Sequence, residues 1–112
     1  MRKIAIPIDE NRILSQHTGH SKLFDIYHIE ENKIIDVIQL TPPPHKYGSL
    51  PKWLIENKVT DLIVGGIGEK AIELLANDGI KVHLGAPSLP SSKLITDFLD
   101  GTLQFSANSC NH

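Results

Sequence analysis

The hydrophobic period of this chain changes once, across the proline-rich stretch TPPPHKYGS at residues 41–49. Before it the pattern is that of strands. In KIAIPI (3–8), Ile4, Ile6 and Ile8 alternate onto one face. KLFDIYHIE (22–30) and KIIDVIQL (33–40) are rich in β-branched and aromatic residues, and little more than Glu31 and Asn32 separates them, so they predict a hairpin. Pro7 cannot donate to a ladder and is expected near a strand end or at a bulge. After the proline stretch the period is helical. Leu50, Trp53, Leu54 and the stem of Lys58 share one stripe, with Pro51 suited to a first turn. Strand and helix then alternate. DLIVGG (61–66) reads as a strand covered on both faces. GEKAIELLANDG (68–79) reads as a helix with Ala71, Leu74 and Leu75 on one face and Gly79 as its stop. IKVHLG (80–85) reads as a strand. SSKLITDFLDG (91–101) reads as a helix capped by Ser91 or Ser92 and ended by Gly101.

This order, β-β-β-α-β-α-β-α, leaves few topologies. The last two βα units require right-handed crossovers and parallel strands. The first three strands form a meander, and the apolar strand at 61–64 belongs in the middle. The expected fold is α/β, with a five-stranded mixed sheet of order 3-2-1-4-5 and helices on both faces. One domain is expected over 1–112, with a core at 1–101 and a polar tail at 102–112.

Composition narrows the function classes. The chain has 112 residues, 40% apolar and 21% charged, with a net charge of −2. That balance gives no bulk electrostatic case for a nucleic-acid or membrane partner. A single cysteine, Cys110, excludes an internal disulfide. Asp9 and Glu10 cut short the apolar run after the N-terminus, so no signal-peptide core is expected and the expected location is cytoplasmic.

The topology gathers the chemically interesting residues. If strand 1 runs upward, the loops at 9–21 and 41–49, the GGIG turn at 65–68 and the GAPSLP segment at 85–90 all lie at the top. Open α/β sheets bind ligands at the carboxyl ends of their parallel strands. His17 and His20, three apart around Thr18 and Gly19, therefore share one end of the domain with His45. Imidazole is a common metal ligand, and Gly19 lets the backbone turn between the pair, although a plain surface loop with exposed histidines is the alternative. Cys110 and His112 form a C-x-H end of ligating types, which equally suits a loose terminus. Gly65, Gly66 and Gly68 lie between a strand and a helix. Their G-x-G-x-x-A pattern is not a dinucleotide fingerprint, because no acidic residue stands about 20 positions on. Backbone N–H groups at such a helix start favour an anion, although strand–helix packing explains the glycines equally well. Asp9 and Asp61 should lie at opposite ends of the sheet, which argues against two-metal phosphoryl chemistry. No nucleophile–base–orienter set is visible, and His28 and His83, within strands, are read as packing residues.

Three blocks together, MRKIAIPID, HTGHSKLFDIYHIE and PPPHKYGSLPKWLIENKVTDLIVGGIGEKAIELLANDGIKVHLG, resemble the dinitrogenase iron–molybdenum cofactor biosynthesis family. That family contains NifX, NafY and the C-terminal part of NifB-type proteins. The resemblance runs to about Gly101. It implies a ribonuclease-H-like fold and non-catalytic binding of an iron–sulfur or molybdenum-containing cluster, taken from one protein and passed to another. The family's histidine-glycine-histidine loop matches at His17, Gly19 and His20, its proline-flanked histidine at His45, and its glycine turn at Gly65, Gly66 and Gly68. Thr18 stands where the family often has Phe, and Cys110 and His112 carry over poorly. The leading expectation is a small carrier of an anionic metal cluster. A regulatory or interaction domain of the same fold that binds no metal is the alternative, and a hydrolase at the top cleft is weaker.

Overall fold

The alternation in the first strand divides the core in two. In the computed structural model, which describes residues 2–16, 21–43 and 49–105, β1 (Arg2–Ile8) is the central strand. It turns Ile4, Ile6 and Ile8 to one side of the sheet and Ala5 to the other. β2 (Leu23–Glu30) and β3 (Lys33–Leu40) follow as an antiparallel hairpin, turned by Glu31 and Asn32 at φ 51° and 62°. Then come α1 (Ser49–Glu56), β4 (Asp61–Ile63), α2 (Glu69–Asn77), β5 (Lys81–His83) and α3 (Ser91–Asp100).

The sheet order is β3-β2-β1-β4-β5, with β1, β4 and β5 parallel, as the sequence pattern predicts. α3 covers one face, where Leu94 and Ile95 join Ile4, Ile6, Ile8, Tyr27, Ile29 and Ile63. α1 and α2 cover the other through Leu54 and Leu75, which pack with Ala5, Phe24, Ile26, Leu62 and Val64. A fully buried side chain of this size contributes about 1.5–3 kcal/mol. β3 lies beyond both helix layers. Its Ile34, Ile35, Val37 and Ile38 stay exposed, and its outer edge is blunted by the Asp36 carboxylate, which accepts from the Val37 N–H at 2.9 Å.

Several expectations change in detail. β4 ends at Ile63, so Val64, Gly65 and Gly66 leave the ladder early; the ties continue as Val64 N–H to the His83 carbonyl and Gly85 N–H to the Gly65 carbonyl. Pro7 lies inside β1, opposite Phe24, but above Ile4 and Ala5, the residues that pair with β4. Its carbonyl accepts from Ser15 N–H at 2.9 Å. Neither Ser91 nor Ser92 caps α3. Pro90 is the N-cap and has no side chain that could cap, while the Ser91 hydroxyl is turned into the core toward a buried carboxylate. Residues 102–105 are not merely a polar tail: Leu103 packs on the α3 side, and the Phe105 ring lies 6.2 Å from that of His83.

Candidate functional site

The described strand ends converge as the topology requires. Pro7, Phe24 and Leu40 lie at one level across β1, β2 and β3. The chain leaves β1 through a loop that is tightly held. Asp9 Oδ1 accepts from the N–H groups of Asn11 and Ile13 at 2.8 and 3.0 Å, an Asx-type turn. Leu14 returns to bridge Ile8 and is buried in the core. Its N–H bonds the Leu89 carbonyl at 3.0 Å, and Ile13 bridges Pro90. The 9–16 loop is thus stitched to the segment that follows β5.

Gln16 ends this stem at the glycine turn. Its amide donates to the Ser88 hydroxyl. A Cβ added to Gly65 would stand 2.8 Å from Gln16 Oε1, so Gly65 leaves the space that Gln16 fills. On the far side, the Ser21 hydroxyl shares its proton between the carbonyls of Ile8 and Leu23, at 3.1 and 2.8 Å. His17 and His20 are the first and last of the four residues between these two anchored points, and they lie outside the described residues. So do His45, Cys110 and His112. The chain to His45 departs from Leu40 of β3, three strand spacings or about 14 Å from β4.

The three glycines of the turn are not equivalent. Gly65 faces a close approach, since a Cβ there would displace the end of the Gln16 side chain. Gly68 is the N-cap of α2 at φ −65°, and an added Cβ there meets nothing within 4 Å, so neither backbone nor space requires glycine. α2 also carries Glu69 in its first turn, which places a negative charge where an anion would be attracted. Among the described residues no group of three or more His, Cys, Asp or Glu is placed to hold a metal ion.

Two polar clusters were not read from the sequence. Asp25, completely buried in β2, accepts through Oδ2 from Arg12 Nε at 3.1 Å, from Arg12 Nη2 at 2.9 Å and from the Ser91 hydroxyl. The hydroxyls of Ser91 and Tyr27 are 2.8 Å apart. The hydrogen bond and charge of Asp25 raise the Arg12 guanidinium above its ordinary value, and burial raises the Tyr27 phenol. The sequence signal was an aspartate on the inward face of LFDIYHIE, in step with Tyr27 and Ile29.

The second cluster surrounds Asp61. Its carboxylate accepts from Arg2 at 2.9 and 3.3 Å, from Thr60 Oγ1 at 2.8 Å and lies 2.9 Å from His83 Nε2. Burial alone would raise this carboxyl, but the hydrogen bonds from His83, Arg2 and Thr60 outweigh it and hold Asp61 well below the usual carboxylate range. His83 is therefore a hydrogen-bond partner of Asp61 as well as a packing residue, with its ring edge-on to Phe98 at 4.8 Å. His28 Nε2 is buried with no hydrogen-bond partner among the described residues. Asp61 opens β4 while Asp9 follows the end of β1, so the two are far apart, as expected.

Fold and strand-end geometry define a class: an α/β protein in which the loops after the parallel strands gather at one end of the sheet. The family described as dinitrogenase iron–molybdenum cofactor matches residues 1–101, and the chain belongs to it. Solved structures agree on the fold. PH0822 is 28% identical and superposes with a TM-score of 0.88, covering 96% of this chain and 98% of that one. The orange protein of Desulfovibrio gigas, solved in its apo form, is 21% identical with a TM-score of 0.79, covering 96% and 94%. The MJ0327 protein of Methanocaldococcus jannaschii is 22% identical with a TM-score of 0.75, covering 94% of each chain. No curated protein matches the chain. Among the described residues no helix is long and apolar enough to cross a membrane.

Proposed function

We propose that this chain is a non-catalytic carrier of an anionic iron–sulfur or molybdenum-containing cluster. His17, His20 and His45 would supply imidazole ligands at the carboxyl end of the sheet. Family membership supports the cargo, and one observation supports the place: the stem leading to His17 ends with Gln16 against Gly65 and Ser88. The glycine turn serves chiefly as room. Gly65 admits Gln16, and backbone N–H groups of Gly65, Gly66 and Gly68 would face the cargo. Glu69 limits how much the helix start adds to anion binding. Cys110 and His112 lie in the segment beyond the family match and are reserve ligands at most. Donor and acceptor proteins would take part in loading and release, in the cytoplasm.

The test is metal analysis of protein purified without oxygen, with cluster retention followed through gel filtration. His17→Ala, His20→Ala and His45→Ala should each lower retention about ten-fold or more. Unchanged retention in all three variants sinks the reading and favours a regulatory domain that holds no metal.

A further inference from the structure

We propose that Arg12 is a positioning residue for the histidine pair, fixing through its ion pair with Asp25 the stem from which the chain continues to His17; the inference rests on the metal-binding reading above. Arg12 has no intrinsic reason for its backbone conformation. It sits at φ 62°, in the left-handed region that side chains disfavour. Its carbonyl accepts from Ser91 N–H at 2.9 Å, and its guanidinium bonds Asp25 through two nitrogens.

Asp25 makes that placement hard to give up. It is completely buried, and Oδ1 has no partner among the described residues. Arg12 is its one cationic partner among them. A buried carboxylate that loses its cation is strongly unfavourable, so the core holds the loop in one arrangement. Such a pair adds little net stability; its effect is to specify a conformation.

The consequence concerns binding. A chelate formed from a loose loop must also order that loop, which weakens affinity. Residues 12–16 are ordered during folding, through Arg12, Leu14, Ser15 and Gln16. Breaking the ion pair moves that cost from folding to binding.

The experiment uses the full chain and cobalt(II) as the probe, in wild type, Arg12→Gly, Arg12→Lys and the core reference Ile29→Ala. Glycine accepts the left-handed conformation, so Arg12→Gly removes the ion pair without adding backbone strain. Lysine keeps the charge but loses the two-nitrogen fork, and it keeps the test open if the glycine variant folds poorly. Cobalt affinity per folded molecule and amide exchange at Leu14 and Ser15 are both measured. Arg12→Gly should weaken cobalt binding about ten-fold and speed exchange at both amides, with Arg12→Lys between it and wild type. Ile29→Ala should lower the melting temperature and leave affinity unchanged. Wild-type affinity in the Arg12 variants, or an equal loss in Ile29→Ala, overturns the proposal. A wild type that takes up no cobalt refutes the metal reading instead. The exchange measurement then decides alone: unchanged protection at Leu14 and Ser15 in Arg12→Gly overturns the positioning role, and faster exchange confined to the Arg12 variants upholds it.

Discussion

Asp61→Asn tests whether the ion cluster beneath α3 stabilises the protein through charge. Asp61 is buried, and its two oxygens face four donors: Arg2 Nε and Thr60 Oγ1 at Oδ1, Arg2 Nη2 and His83 Nε2 at Oδ2. An asparagine amide placed on either side puts a donor against an Arg2 nitrogen. Thr60 can turn to accept and His83 can change tautomer; arginine can do neither. Breaking a buried pair costs about 3–5 kcal/mol, but the Arg2 side chain is 42% exposed and water takes over part of its solvation. The expected loss is therefore about 2 kcal/mol. For a chain of this size that is about 6–10 °C in melting temperature. The pH dependence is diagnostic. The folded carboxyl is held below its unfolded value, so its contribution is present in full above about pH 4 and is lost as pH falls through the folded value. Calorimetry of both proteins should show a constant gap from about pH 5 to pH 8 that narrows progressively as pH falls below about 4. A gap that does not narrow at all between about pH 4 and pH 2 would mean that lost packing, not lost charge, sets the difference.

Gly68→Ser should stabilise the protein. α2 has no side-chain cap, Gly68 already has extended N-cap geometry, and a new side chain meets nothing, so a serine hydroxyl gains a free backbone donor. A few tenths of a kcal/mol is expected in thermal melts, and a loss of stability would show that glycine is needed there after all. Asp36→Val should promote self-association through β3. It frees the Val37 N–H on an exposed aliphatic edge and removes a charge that opposes antiparallel pairing of two copies about Asp36. Sedimentation velocity across a concentration series reads this; a variant that sediments as wild type at every concentration refutes the edge-protection role.

The fold was legible because strand alternation and crossover handedness leave little freedom. Ile4, Ile6 and Ile8 had to share a face, the two βα units had to be parallel, and the meander had to lie on the far side of β1. Boundaries were less legible. The apolar run at 61–66 continues past the ladder because Val64 is buried after β4 has ended. The same run of residues serves a strand and the loop beneath a helix, and hydrophobicity does not separate them. Ser91 looked like a cap because serine before an apolar run usually is one. It does something else here because the buried Asp25 carboxylate on β2 takes its hydroxyl.

Of the candidate site, the stem before His17 can be compared with the sequence reading, and its supports were not legible there. Strand order predicts that the loop after β1 approaches the glycine turn, and its described stem does so, with Gln16 against Gly65. Among the ties that hold the stem is a pairing between Arg12 and Asp25, residues that meet only through the fold. Each is ambiguous by itself. An arginine in a polar loop reads as solvated, and an aspartate in a strand reads as a surface position. The informative feature was the parity of Asp25: in LFDIYHIE it falls in step with Tyr27 and Ile29, both buried on the α3 side. A carboxylate in phase with core residues needs a cation, and Arg12, in the loop after β1, supplies it. That parity also couples the two properties that matter here. The burial that makes Asp25 costly is what fixes the loop, so a substitution that relieves the core at Asp25 should loosen the approach to the histidines.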